Sequence, residues 1–202
     1  MYIFYYHELE NWYEAYRSSA SYWYTTSEHH INGQGYDAEM EILLEAVEWT
    51  DIPPHARGMY AEMDFSDVPN DAESDGVVAS SIRFLFKLDT SEDAVDFSAA
   101  IRAGAEEGDP EILNLNNMFG CAFDQYFYIY RGSSTVPFPG EECREQVWTY
   151  VSRKPLPIRP ETLAYIKSNI LYEENTNHRE LQELGDREVM LTGRPCHMGE
   201  DL

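Results

Sequence analysis

Residues 21–45 read SYWYTTSEHHINGQGYDAEMEILLE, which is the pattern of two strands joined by a tight turn. It opens on tyrosine and tryptophan, which are strong strand-forming residues. Asn32-Gly33 is a favoured pair for the tight turn between two antiparallel strands. After the turn, acidic and apolar residues alternate from Glu39 to Leu44, as they do on a strand that buries one face. The stretch therefore predicts a β-hairpin.

Each arm of this hairpin carries a pair of side chains that end in a polar group, called here the polar-tipped pairs. Residues two apart on a strand share a face, so Tyr22 and Tyr24 point the same way on the outgoing arm. Glu39 and Glu41 do the same on the return arm, and the apolar residues beside them point to the opposite face. We expect the two pairs to face one another across the hairpin.

The rest of the chain is β-rich and contains two modest helices. Three further stretches alternate and are predicted to be strands: residues 77–87, 123–131 and 146–152. One helix is predicted over residues 91–103, capped by Thr90 or Ser91, and a second begins at Pro160. The second helix is predicted to bury the stripe Leu163, Ile166 and Ile170. Residues 46–76 are rich in acids, Pro and Gly and predict a loop with at most one short strand.

The composition is that of a folded, strongly acidic protein. The chain has 202 residues, of which 43% are hydrophobic and 14% aromatic, and this suits one domain with a sizeable core. Its 14 Lys and Arg against 37 Asp and Glu give a net charge of −23. A surface this acidic repels nucleic acid and anionic membranes and favours basic partners or cations. No apolar run approaches the ~20 residues that cross a bilayer, and the apolar start of the chain is too short for a signal-peptide core.

Two ordered motifs carry a family resemblance. The first lies in the hairpin and consists of Ser27-Glu28-His29, Ile31, Gly33, Tyr36 and Glu39. The second, YIYRGSSTVP at residues 128–137, precedes a stretch with Trp148 and the helix at Pro160, and Arg187 and Gly193-Arg194 close the pattern. In order and spacing, these residues resemble the α-class carbonic anhydrases.

The resemblance implies a fold and a domain organisation. The expected fold is β-rich α+β, an α-carbonic anhydrase-like fold built on a large twisted, mainly antiparallel central sheet with a few short peripheral helices. The domain is expected over residues 16–194, between an aromatic and acidic segment at residues 1–15 and a tail at residues 195–202. Part of the family's N-terminal region has no counterpart here, and we expect that part to be truncated.

The residues that hold the family's catalytic zinc ion are replaced in this chain. In the family, three histidines of the hairpin bind zinc, and their positions fall without a gap on Tyr22, Tyr24 and Glu41. The second threonine of the other motif falls on Val136, which has no hydroxyl group. The resemblance therefore implies a degenerate former site with no metal, no cofactor and no catalytic residue.

Two acids that support the family's site are retained. The glutamate to which the family's threonine motif hydrogen-bonds corresponds to Glu28, and the carboxylate behind a zinc histidine corresponds to Glu39. His29 matches a structural histidine of the family. His29 and His30 are expected on one strand, where their side chains leave opposite faces and cannot share a metal. The former site comprises Tyr22, Tyr24, Glu28, Glu39, Glu41 and Val136.

The cysteines leave the redox compartment open. Cys121, Cys143 and Cys196 permit at most one internal disulfide and do not have the spacing of a zinc site. Cys196-His197 is a weak metal candidate in a polar tail. A lumenal or extracellular setting is implied by the resemblance alone, because the family's α-class members are commonly secreted or lumenal.

The sequence predicts a catalytically inactive carbonic anhydrase-related protein that is a structural or binding component of a larger protein assembly. Its expected partners are proteins and not nucleic acid. Two alternatives stay open. In one, Glu28, Glu39 and Glu41 form an oxygen-rich site for a hard cation such as Ca²⁺ or Mg²⁺, in an enzyme of altered chemistry such as a weak hydrolase. In the other, the acidic chain mimics nucleic acid and occupies a DNA-binding protein.

Overall fold

The computed structural model describes residues 2–7, 12–46, 78–91, 126–132, 147–169 and 178–192. Some of the sequence predictions lie outside these residues. They are the helix over 91–103, almost all of the loop over 46–76, Ile170, Val136, Cys121, Cys143, Cys196 and His197.

The described part of the chain contains eight strands and one helix. In chain order the strands are β1 Tyr2–His7, β2 Trp12–Tyr24, β3 Ala38–Ala46, β4 Val78–Leu88, β5 Phe127–Gly132, β6 Val147–Ser152, β7 Leu156–Ile158 and β8 Met190–Thr192. The helix α1, Pro160–Asn169, begins at the predicted proline, because a residue without an N–H is tolerated in the first turn. Leu163 and Ile166 are buried as predicted. No described helix is long and apolar enough to span a membrane.

The strands form one eight-stranded sheet in the order β1-β2-β3-β4-β6-β5-β8, and β7 pairs with β4 outside this path. β6 and β7 run parallel to β4, and the other pairings are antiparallel. The predicted fold class, β-rich with a large and mainly antiparallel sheet, is therefore confirmed. β4, β5 and β6 also confirm the three strands predicted beyond the hairpin.

The register of β2 and β3 confirms the predicted hairpin. Tyr22 pairs with Glu41 and Tyr24 pairs with Glu39, so the two polar-tipped pairs face one another. β2 is longer than the hairpin alone, because it begins at Trp12 and pairs with β1 as well. Aromatic residues, which favour strands, stand at both ends of β2, and Arg17 to Ser21 between them lack this preference.

The tip of the hairpin is the predicted Asn-Gly turn. The backbone groups of Ile31 and Gln34 exchange two hydrogen bonds of 3.0 Å around it. Asn32 has φ 54° and Gly33 has φ 77°, both in the left-handed region. Asparagine and glycine adopt this region with the least strain, so the sequence specifies the turn locally.

The connection on either side of the turn is irregular, and this corrects the expectation that His29 and His30 lie on a strand. β2 ends at Tyr24, and residues 25–37 lie outside the ladder. The Glu39 carboxylate accepts the backbone N–H groups of Glu28 and His29 at 2.9 Å each. Because these backbone groups are satisfied by a side chain, they do not need a neighbouring strand.

One face of the sheet is apolar and forms the core. Met40 pairs with Trp23 on one side and with Phe84 on the other. The rings of Trp23 and Phe86 lie 5.1 Å apart, and those of Phe84 and Phe127 meet edge to face at 6.1 Å. All five residues are buried. The opposite face of the sheet carries the candidate site.

Candidate functional site

The polar face of the hairpin is extended by an arginine of β4. In the ladder Tyr22 lies beside Glu41, and Glu41 lies beside Arg83. Tyr24 and Glu39 share this face. Tyr22 is half-buried and the other four are buried. The sheet thus gathers two acids, two phenols and one guanidinium group on one buried surface.

The guanidinium group of Arg83 lies among three carboxylates. Its Nη1 donates to Glu28 Oε2 at 3.0 Å and to Glu39 Oε1 at 2.7 Å, and its Nη2 donates to Glu41 Oε1 at 2.5 Å. The four side chains, called here the Arg83 cluster, are between 0% and 7% exposed. Burial opposes the charge on Arg83, but the carboxylates of Glu41 and Glu39 outweigh it and raise the pKa of the guanidinium group. Arg83 is therefore a permanent internal cation.

Tyr24 closes the cluster on the side of Glu41. Its phenol donates to Glu41 Oε2 at 2.6 Å, and its ring centroid lies 5.8 Å from Arg83 Cζ. Burial raises the pKa of Tyr24, and the neighbouring Glu41 carboxylate raises it further. Tyr24 therefore stays protonated and serves as a hydrogen-bond donor.

Glu39 accepts four hydrogen bonds. Besides two backbone N–H groups and Arg83, it accepts from His29 Nδ1, which lies 2.9 Å from Oε1. Burial alone would raise the pKa of Glu39, but the His29 ring and the Arg83 guanidinium group outweigh burial and lower it to about 2. On its other side the His29 ring is 2.5 Å, Nε2 to Oη, from Tyr130, whose own pKa is raised by burial. The network extends in this way from β3 to β5.

Glu28 connects the cluster to residues 178–189. Its Oε2 contacts Arg83, and its Oε1 accepts the backbone N–H of Arg179 at 2.6 Å. A cavity of about 560 Å³ opens beyond Glu28. Its apolar lining includes Leu181, Leu184 and Val189, and the rings of Tyr128 and Tyr130 form part of the wall.

The structure brings together five of the six residues predicted for the former site. Tyr22, Tyr24, Glu39 and Glu41 lie side by side on the sheet, Glu28 reaches them through Arg83, and Val136 lies outside the described residues. The sequence analysis missed Arg83. The sequence did contain a signal for this residue. Arg83 lies on the face of β4 that continues the face of Glu39 and Glu41, and a buried cation requires acidic partners.

The donor set fits a zinc ion poorly. Zn²⁺ takes thiolates, imidazoles and carboxylates in tetrahedral sites. Tyr24 would have to lose a proton whose pKa is already raised, and its hydroxyl group is committed to Glu41. Arg83 lies against the same carboxylate, and its charge repels a dication. Within the ranges that the structure describes, no group of three or more His, Cys, Asp or Glu is arranged to hold a metal ion.

The topology of the sheet agrees with the result of a comparison with known protein families. The family model described as eukaryotic-type carbonic anhydrase matches residues 6–193. The chain belongs to this family. The curated protein sequences contain no match to the chain.

Several solved structures share the fold of this chain. Dioscorin complexed with ascorbate is 20% identical with a TM-score of 0.56, over 90% of this chain and 64% of that chain. The α-carbonic anhydrase of the fungus Aspergillus oryzae is 21% identical with a TM-score of 0.55, over 86% and 61%. The halotolerant carbonic anhydrase of Dunaliella salina is 19% identical with a TM-score of 0.53, over 89% and 62%. The chain spans less than two thirds of each of these proteins, and at such identities the likeness shows the fold alone.

Proposed function

We propose that this member of the carbonic anhydrase family is catalytically inactive and serves as a structural or binding component of a larger protein assembly. The observation that carries the proposal is the position of Arg83, whose guanidinium group contacts Glu28, Glu39 and Glu41. The chain thus supplies its own cation on the face where the resemblance places a zinc ion.

A guanidinium group cannot replace zinc in the chemistry of this family. Zinc lowers the pKa of a bound water to about 7 and keeps one coordination position open for it. Arg83 has only N–H donors and no position at which a water can be activated as a ligand. It can only neutralise the neighbouring carboxylates. The Arg83 cluster therefore supports the packing of the sheet and not turnover.

The charge of the chain supports a binding role. The net charge of −23 favours a partner with a basic surface and speeds association with it at low salt. A retained fold whose buried acids are ion-paired with Arg83 can present its surfaces to such a partner.

Metal content and CO₂ hydration, measured on the same purified protein, test the proposal. We expect well below one zinc ion per chain and no hydration above the buffer rate. The carbonic anhydrase of Aspergillus oryzae, purified in parallel, is the positive control. Stoichiometric zinc, with turnover that a chelator abolishes, would overturn the proposal.

A second candidate is an enzyme whose metal is held by oxygen ligands. The chemistry of Glu28, Glu39 and Glu41 is the argument for it, since Ca²⁺ and Mg²⁺ prefer carboxylate oxygens, but a metal ion would have to displace Arg83 from all three. Calorimetric titration of each ion into the wild type and Glu41→Gln separates the two candidates. If the protein is an inactive component, neither the wild type nor Glu41→Gln gives heat of binding with either ion. Binding that Glu41→Gln abolishes, together with chelator-sensitive hydrolase activity, would favour the enzyme.

A further inference from the structure

β8 is the outermost described strand on its side of the sheet. Among the strands that the structure describes, its one neighbour is β5, with Leu191 opposite Tyr128 and Met190 opposite Ile129. A strand with a single neighbour presents a row of backbone N–H and C=O groups to another chain. β8 itself, Met190–Thr192, contains no charged residue and no proline, which are the residues that often block pairing at such an edge.

Apolar side chains are concentrated at this edge. The described residues expose seven large hydrophobic side chains, and five of them lie within residues 181–191. They are Leu181 at 60%, Leu184 at 52%, Val189 at 42%, Met190 at 43% and Leu191 at 51% exposure. Because Met190 and Leu191 are consecutive on a strand, they expose apolar surface on both faces of the sheet. Exposed apolar surface of this kind marks an interaction site.

The cavity beside the Arg83 cluster lies against the segment that leads into β8. Leu181, Leu184 and Val189 form part of its lining, and so does Tyr128, the ladder partner of Leu191. A side chain of a strand added to β8 would have to reach past Val189 to enter this cavity of about 560 Å³. Strand-addition sites commonly combine backbone hydrogen bonds with pockets for alternate side chains.

The charge around this edge is acidic. Glu180, Glu183, Asp186 and Glu188 are all exposed. Arg187 is turned inwards, since its guanidinium group lies 5.5 Å from the centroid of Tyr130 and donates to the backbone carbonyls of Leu184 and Glu183. The outward-facing charge of the segment is therefore mostly negative.

The geometry points to β8 as a docking site for an extended segment of a partner protein in which apolar residues alternate with Lys or Arg. The segment adds to β8 as a strand, places apolar side chains against Leu191 and the cavity, and sets its cations against the acids of residues 180–188. This inference rests on the proposed role as a binding component and names the partner's chemistry. A second copy of this chain is disfavoured as the occupant, because each copy carries −23.

Peptide binding tests the inference on the full chain. The probe is a fluorescent peptide of alternating valine and lysine, measured by anisotropy at 150 mM salt. Leu191→Lys is expected to weaken its binding at least tenfold. Leu88→Lys is the matched control, because Leu88 is 40% exposed on β4 and the charge change is the same. The control is expected to stay within twofold of the wild type.

Two further peptides distinguish strand addition from general charge attraction. A peptide of alternating valine and glutamate is expected not to bind. A peptide with the same lysines but interrupted by prolines is expected to bind at least tenfold more weakly, because proline removes ladder donors. The lysine peptide is also expected to slow amide exchange at residues 189–192.

Three results would overturn the inference. They are equal weakening by both lysine variants, equal binding of the proline peptide, or self-association of the wild type that Leu191→Lys abolishes. The zinc and CO₂ assays are independent of these readouts. If the protein binds the peptide at β8 and is also an active zinc enzyme, the docking site is supported and the proposed inactive role is rejected.

Discussion

Arg83 links Glu28, Glu39 and Glu41 into one buried cluster of ion pairs. Three buried carboxylates repel one another in an interior of low dielectric constant, and each remains charged only beside a cation. Arg83 lies opposite Glu41 in the ladder and contacts all three carboxylates, so it offsets part of their negative charge. This accounts physically for acids such as Glu28 and Glu39 on a face without zinc histidines.

Removal of this guanidinium group is predicted to destabilise the protein strongly. Arg83→Met keeps much of the side-chain volume but leaves Glu28, Glu39 and Glu41 without their shared donor. Breaking a buried ion pair in this way costs about 3–5 kcal/mol. Urea denaturation at pH 7 measures the loss.

The matched control for this change is Arg153→Met. Arg153 is exposed, with Cζ 6.0 Å from the ring centroid of Tyr126. Its replacement is expected to change the free energy of unfolding by about 0.5 kcal/mol or less. An equal effect of the two substitutions would show that Arg83 does not hold the cluster together.

Glu39 is predicted to make the protein sensitive to acid. Its pKa is lowered from 4.5 to about 2 in the folded state, so the folded carboxylate binds its proton less readily than the unfolded one. The resulting stability, on the order of 3 kcal/mol, is fully present above pH 4.5 and is lost as the pH falls towards 2.

Unfolding free energies measured from pH 5 to pH 2 test this dependence. The Glu39→Gln variant is expected to lose less stability over that window than the wild type, because its amide does not titrate. It is also expected to be less stable at pH 7, where the wild-type carboxylate bonds Arg83 and His29. Parallel curves for the two proteins would contradict the assignment.

Sequence patterns locate these residues only in part. Alternation correctly placed Tyr24, Glu39 and Glu41 on one face, because the period of a strand fixes which side chains share a face. It did not pair them with Arg83. That pairing depends on which strand lies next to β3 in the sheet. Residues 47–77 separate β3 from β4, and the length of this segment does not determine which residues of the two strands are paired.

The hairpin is the element that the sequence specifies most completely. Polar and apolar residues alternate along the return strand, and the turn has residues that favour a left-handed backbone conformation. The local sequence preferences therefore agree with the observed sheet. β7 and β8 escaped prediction because each has three residues, which is too short for a periodic pattern. Their strand character depends on pairing with β4 and β5.

Gly33→Ala is predicted to weaken the hairpin through the backbone alone. Gly33 has φ 77°, and a Cβ added there meets no atom within 4 Å. The expected cost is therefore conformational, about 1 kcal/mol, and thermal unfolding measures it. Asn32→Gly is the control and should change stability by only a few tenths of a kcal/mol, since glycine adopts positive φ readily. An unchanged melting temperature for Gly33→Ala would show that the turn does not limit stability.

At the scale of the molecule, the described strands share their fold with solved structures that are about 20% identical to the chain. The apolar core lies on one face of the sheet, and the Arg83 cluster lies on the opposite face and adds stability of its own. The chemistry of the polar face can therefore change without disturbing the core, provided that its buried acids keep a cationic partner.

This separation predicts that the scaffold can bind zinc again once the internal cation is removed. A variant with Tyr22→His, Tyr24→His and Glu41→His restores the family's donor set but retains Arg83. Adding Arg83→Ala is expected to tighten zinc binding by about 100-fold, or about 3 kcal/mol, because a guanidinium group within a few ångströms repels the dication. Competition with a chromophoric chelator measures the affinity, and circular dichroism checks that both variants are folded. Equal affinity would show that Arg83 does not oppose the metal. If neither folded variant binds zinc, the hairpin no longer holds the three positions in the family's geometry.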